Sequence, residues 1–306
     1  MISQAGVATL FLLGSIFFPL CFLSLQAFYR KTKIGSEIKK KQQLSDKDCA
    51  DISVKLVSTL QAILASVCGA IVCSKCYDDV LYCTHPVVLT YAWFGAPYFL
   101  YDAMAMFYVS TIADKHYKNI NKLKHKRNSK GLFAMGKKFC TFVYKSSSVI
   151  VIHHLLMAPC GFLIITYFRG VRGDFFIGVM YLMEASTPFV SFRVILSKLQ
   201  MKSSLLYKLN GALMLITFPF FRIATVFYTV SLYADQQQLG FTETFCTMHP
   251  GWLFVFLASI APQFYWYYLM LSGLAKILRS EAPKNSELEE PAQTVATNKT
   301  HNNLRE

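Results

Sequence analysis

The sequence predicts an all-α fold, a polytopic membrane bundle of about seven spanning helices, and three observations carry that prediction. Of the 306 residues 54% are hydrophobic and 16% are charged, against about 25% charged in an ordinary soluble domain. The apolar residues are gathered in blocks of about 20 or more, the length that crosses roughly 30 Å of hydrocarbon. Lysine and arginine are concentrated in alternate loops between those blocks, the pattern that orients membrane proteins.

The blocks run over residues 6–28, 52–73, 87–109, 142–167, 175–196, 207–232 and 250–275. The first is preceded by no basic segment and followed by one, the reverse of a cleaved signal peptide, so it reads as a retained span. The loop after it carries Arg30, Lys31, Lys33, Lys39, Lys40, Lys41 and Lys47, whereas the second loop carries only Lys75. The third holds nine basic residues between Lys115 and Lys138, the fourth only Arg169 and Arg172. Arg193, Lys198, Lys202 and Lys208 mark the fifth, and the sixth, at 233–249, has none. By the positive-inside rule the N-terminus is lumenal and the C-terminus cytosolic, which an odd number of spans satisfies. Residues 1–280 therefore form one transmembrane domain. Residues 281–306 are polar, with Pro283, Pro291 and an acidic cluster, and are expected to be a disordered cytosolic tail. The tail carries the glycosylation sequon Asn298-Lys299-Thr300, which is silent in the cytosol.

The net charge of +14 lies in loops, which argues against nucleic acid and for a bilayer partner. Cys73, Cys76, Cys83 and Cys246 fall on the expected lumenal side, where a disulfide among them is allowed; the sequence does not choose the pair. The lone Cys73-x-x-Cys76 is no zinc framework.

Charged residues inside spans cost about 2.5–3.5 kcal/mol each on insertion scales and so tend to have a partner or a function. Asp102 lies in the third block, His153 and His154 in the fourth, Glu184 in the fifth and Arg222 in the sixth, with Gln263 at similar depth in the seventh. At 1.5 Å per residue all lie within roughly two turns of mid-membrane, which points to a shared interior cavity. An imidazole there serves as a base or nucleophile near neutral pH, oriented by Asp102 or Glu184. That suits acyl transfer to an amine or hydroxyl. Structural alternatives stand beside it: Glu184 and Arg222 as an ion bridge, or Asp102 held by Tyr98 or Tyr101. A metal centre fits poorly, because the other five histidines lie in loops, at a span end or in the tail. Pro97, Pro159, Pro188 and Pro219 interrupt spans and can open the packing near midplane. Phe94, Phe99, Phe107, Phe176, Met180, Phe218 and Phe221 offer apolar walls for greasy chains.

The segments YFLYDAMAMF (98–107), VIHHLLM (151–157), GDFFIGVMYLMEASTPFVSFRVIL (173–196) and LLYKLNGALMLITFPFFRI (205–223) resemble the TLC-domain family. That family includes ceramide synthases, translocation-associated membrane proteins and a neuronal-lipofuscinosis protein. The resemblance is nearest to its branch numbered three, for which ceramide-synthase activity is described. It implies a six-helix barrel plus one further helix, the endoplasmic reticulum membrane, and transfer of a fatty acyl group from acyl-CoA to a sphingoid base. Acyl-CoA is then a co-substrate and no cofactor is expected; a homo- or heterodimer is compatible. His153-His154 matches the histidine pair of the family's motif, while Met183-Glu184 stands where a His-Asp pair follows in ceramide synthases. The implied catalytic residues are His153, His154, Asp102 and Glu184, and the implied substrate-binding residues are Arg222, Asn210, Gln263 and Ser186. The other reading is a non-catalytic lipid-binding or lipid-homeostasis protein using the same interior.

Overall fold

The computed structural model describes residues 3–120, 132–145, 149–170 and 172–286. Five of the nine basic residues of the third loop, Ser146–Ser148, most of the tail and its sequon lie outside the described residues.

Every described element is helical. Helix α1 (Gln4–Lys31) starts where the Ser3 hydroxyl accepts from the Gly6 N–H. A one-residue break at Thr32 leads into α2 (Lys33–Lys41), and α3 (Asp46–Lys75) opens with a reciprocal Ser45–Asp48 capping box. Then come α4 (Pro86–Ile120), α5 (Leu132–Lys145), α6 (Val149–Leu156), α7 (Asp174–Leu182), α8 (Thr187–Lys198), α9 (Leu205–Pro219), α10 (Thr225–Gln236), α11 (Phe241–Thr247) and α12 (Pro250–Ser286).

Among the described residues, six helical stretches are long and apolar enough to cross a membrane: Gln4–Lys31, Asp46–Lys75, Val149–Phe168, Asp174–Lys198, Leu205–Gln236 and Pro250–Arg279. The chain is thus a polytopic membrane helix bundle. The seventh expected span coincides with α4, a 35-residue helix. Its tyrosines 91, 98 and 101, Pro97 and Asp102 make it more polar than the six, and it packs along α1 and α3. The block expected at 142–167 is corrected at its start: residues 142–145 close the separate helix α5, and the spanning stretch begins at Val149. The last helix continues to Ser286, six residues past the expected boundary at 280.

The two larger apolar clusters join the helices of the bundle. Phe18 and Phe22 of α1, Val54 and Val57 of α3, and Tyr98, Ala105 and Val109 of α4 form one. Ala65 and Val72 of α3, Val88 and Tyr91 of α4, and Phe175 and Val179 of α7 form the other. Within hydrocarbon, helix association rests on close packing over small residues rather than on water expulsion. Gly69 of α3 supplies this contact: a Cβ there would fall 2.5 Å from the Gly178 carbonyl oxygen and from the Leu182 nitrogen, both backbone atoms of α7. Gly69→Val forces those backbones apart and is expected to cost about 3 kcal/mol, the upper end of overpacking penalties. Thermal unfolding in detergent checks this: the melting temperature falls well below that of a Gly136→Val control, at a site with open space around it.

The second loop is closed by a Cys76–Cys83 disulfide, which selects one pair from the four cysteines expected on that side. Arg169 pairs with Asp174 at 2.5 Å, and Asp174 also accepts from the His85 backbone N–H at 2.6 Å. The fourth loop is thereby tied to the second. Asp79 accepts from the Tyr82 backbone N–H and the Gln236 amide, and these bonds hold its carboxyl below the usual range.

Of Pro97, Pro159, Pro188 and Pro219, three accompany departures from α-helix. Pro159 lies within a π turn at Met157–Gly161, with another at Ile164–Phe168. A 3₁₀ turn at Met183–Ser186 joins α7 to α8, which has Pro188 in its first turn. Pro219 is followed by a π turn at Phe220–Ala224. Proline lacks an N–H and crowds the carbonyl four residues back, so the ladder shifts register there. Pro97 differs: α4 runs on through it.

Candidate functional site

The predicted residues separate into two centres. The first joins α4 to α6. His154 Nδ1 lies 2.9 Å from Asp102 Oδ2, and both side chains are largely buried, at 12% and 6% exposed. The ring N–H does not point at the carboxylate, so this is a close contact rather than a formed hydrogen bond; Nδ1 and Asp102 Oδ1 have no hydrogen-bond partner among the described residues. Phe99 stands edge-on to the His154 ring at 5.4 Å and Tyr98 lies 6.1 Å away. Of the two histidines, His154 takes the carboxylate. His153 turns away, its ring perpendicular to Trp266 of α12 at 5.5 Å and 5.9 Å from that of His154.

The second centre joins the 3₁₀ turn, α8, the π turn and α12. Arg222 Nε donates to Ser186 Oγ at 2.8 Å and Nη1 to Gln263 Oε1 at 3.1 Å. Its Nη2 donates to Thr187 Oγ1 at 2.8 Å and to Glu184 Oε2 at 3.3 Å, while Thr187 donates to the same carboxylate oxygen at 2.6 Å. The guanidinium also sits 5.2 Å from the Phe218 ring centre. Local register places these groups. Ser186 and Thr187 straddle the change from 3₁₀ turn to α8, and Arg222 projects from the π turn after Pro219, a kind of bulge that recurs at functional sites. The four side chains leave little of the guanidinium's hydrogen-bonding capacity unused.

Asn210 is placed differently. Its amide donates to the Phe189 carbonyl at 2.9 Å, tying α9 to α8. Glu184 is within electrostatic range of both histidines, and His153 is within range of Arg222, so the centres influence one another across the bundle. Two cavities, about 480 and 260 Å³, lie elsewhere and border neither the histidines nor Arg222. Of the predicted apolar walls, Phe99 and Phe218 reach the centres; Phe107 packs on Phe139 and Phe142 of α5, and Phe176 on Tyr233. Among the described residues no group of three or more His, Cys, Asp or Glu converges as a metal-ligand set.

Sequence reasoning missed Thr187 and Trp266. Each lies three residues past a polar intramembrane residue, Glu184 and Gln263, and so on the same helical face; that spacing was the available signal.

Chemically, a buried carboxylate beside an imidazole supports proton transfer, whereas a saturated arginine–carboxylate network holds helices in register. Residues 51–272, from the first turns of α3 into α12, match the TLC domain (TRAM, LAG1, CLN8). The TLC domain-containing protein 4 A of Dictyostelium discoideum is 28% identical over 133 residues, 42% of this chain and 48% of that relative, so the match spans about half of the relative's length. No solved structure matches. With the family pattern covering most of the chain, this chain belongs to the TLC-domain family, and α1 and α2 precede the matched region.

Proposed function

We propose that this chain is a ceramide synthase-like N-acyltransferase, moving a fatty acyl group from acyl-CoA to the amine of a sphingoid base within the membrane. The observation that carries the reading is the buried Asp102–His154 pair inside a TLC-domain bundle. With Nδ1 facing the carboxylate, Nε2 is the nitrogen left for substrate. The imidazole accepts the proton of the attacking amine as nitrogen bonds to the thioester carbon. The carbon–sulfur bond breaks, and the departing thiolate takes that proton from the imidazolium, giving an amide and the CoA thiol. Asp102 stabilises the cation in between, as the carboxylate of a triad does. Catalytic contacts of this kind are looser before substrate binds. In this reading Arg222, Ser186 and Gln263, with Asn210 behind them, form the polar side of the substrate site, and Glu184 fixes Arg222. No bound cofactor takes part.

One observation favours a second reading, a lipid-handling protein without catalysis. Glu184, at the position of the family's His-Asp pair, is engaged by Thr187 and Arg222 rather than by a histidine.

The same reading puts the protein in the endoplasmic reticulum membrane, N-terminus lumenal and C-terminus cytosolic. The alternating loop charges support it, as does the Cys76–Cys83 disulfide in the second loop, since disulfides persist in oxidising compartments. Asn298 is then expected to stay unglycosylated in cells; a glycan removable by peptide-N-glycosidase would reverse the orientation.

The function is tested by giving the purified protein in lipid nanodiscs labelled palmitoyl-CoA and sphinganine. Labelled ceramide and free CoA thiol in equal amounts are expected. Binding of either lipid without product supports the second reading instead.

A further inference from the structure

The 480 Å³ cavity lies outside both centres, at the elbow between α1 and α2, and is lined by Tyr29, Arg30, Ser36, Lys39, Lys40 and Gln43 with Leu44 beneath. The sequence forms this elbow deliberately. The Thr32 hydroxyl accepts from the Gly35 N–H at 3.0 Å, and Gly35 is buried where a Cβ would stand 2.2 Å from the Phe28 carbonyl oxygen. A residue with a side chain at position 35 cannot let α2 fold back onto the last turn of α1. Three cations consequently face one concave space, with the Ser36 hydroxyl beside them.

The charges there are only partly neutralised. Asp46 holds Lys39 at 2.6 Å and lies within electrostatic reach of Arg30. Among the described residues neither Arg30 nor Lys40 has an ion pair. The cavity also sits at the end of a membrane-spanning helix. Ile34 and Ile38, one turn apart on α2, are 64% and 37% exposed. Exposed isoleucines beside lysines on a short helix are the composition of a segment lying in the headgroup layer.

We propose that this elbow binds the phosphate-bearing headgroup of an anionic phospholipid, with Arg30, Lys39 and Lys40 as the cations. Charge-assisted bonds from such a fork match a phosphate's oxygens. Acyl-CoA also carries phosphates. The interfacial position and the isoleucine pair favour the lipid, whose chains lie alongside them. This site is independent of the acyl-transfer chemistry.

The test uses full-length protein in detergent and measures binding of water-soluble dihexanoyl phosphatidylinositol 4-phosphate, with dihexanoyl phosphatidylcholine and CoA as the comparison probes. The inositol phosphate lipid is expected to bind more tightly than either comparison probe. Arg30→Gln with Lys40→Gln weakens it about tenfold or more. Lys33→Gln with Lys41→Gln removes the same charge from outside the cavity and leaves binding within about twofold of wild type. Gly35→Val keeps every charge, breaks the elbow and abolishes binding, so the proposal stays testable if the charge variant folds poorly. Unchanged binding in both the Arg30/Lys40 and Gly35 variants would overturn it. So would equal losses from the two charge pairs, equal binding of the choline lipid, or tighter binding of CoA.

Discussion

Replacing His154 with alanine lowers ceramide formation by about a hundred- to ten-thousand-fold, the range that a positioned general base contributes. The change also removes a ring that packs on Phe99 and Tyr98 beside the buried Asp102, so the rate is read per folded molecule. Asp102→Asn keeps the shape of the pair but removes the charge that stabilises the imidazolium. Its loss is expected to be smaller, since the base itself remains. His153→Ala provides the contrast. That ring faces Trp266 rather than a carboxylate, so its removal costs packing and lowers the rate far less than His154→Ala. The comparison is made at saturating substrate with matched amounts of folded protein. An equal loss at both histidines would show that the Asp102 contact has no special role.

The second large effect falls on stability. Arg222→Leu leaves the Glu184 carboxylate without its cation and also strips Ser186, Thr187 and Gln263 of a donor. Removing one partner of a buried ion pair costs about 3–5 kcal/mol, because the other charge stays behind. Glu184→Gln alone is milder, as the amide oxygen can still accept from Thr187. Adding Glu184→Gln to Arg222→Leu should recover part of the loss, since no uncompensated charge then remains. Chemical or thermal unfolding of the four proteins gives the coupling directly. Additive losses would mean that the two residues do not act as a pair.

The spans were legible because each is a contiguous apolar block, and length alone separates such blocks from loops. The α4 helix was legible in the same way, although its tyrosines and Asp102 make it less apolar than its neighbours. Depth was also readable: counting residues from each block's end put Asp102, His154, Glu184 and Arg222 near one level. What depth does not encode is azimuth, the side of a helix that a residue faces and the neighbour it meets. The sequence therefore offered Asp102 or Glu184 as the histidine's support, and the fold gives His154 to Asp102 and Glu184 to Arg222. The cysteines were similar. Four were expected on one side, but pairing depends on how a short loop turns, and Cys76 meets Cys83. The π and 3₁₀ turns left only prolines as a trace, and Pro97 shows that a proline need not break a helix. Short helices such as α2 and α11 fall below the length at which an apolar block announces itself.

The central claim is that the two polar centres have separate duties, proton transfer at His154 and, at Arg222, holding in register the helices that form the polar side of the substrate site. The most direct test is a time course of labelled ceramide from palmitoyl-CoA and sphinganine, run on wild type and His154→Ala, with the unfolding temperature of each measured on the same samples. The account predicts product from the wild type and a loss of at least about a hundredfold per folded molecule in the variant, with both proteins unfolding above the assay temperature. Product at comparable rates from both proteins, or none from a folded wild type that still binds its lipids, would contradict it.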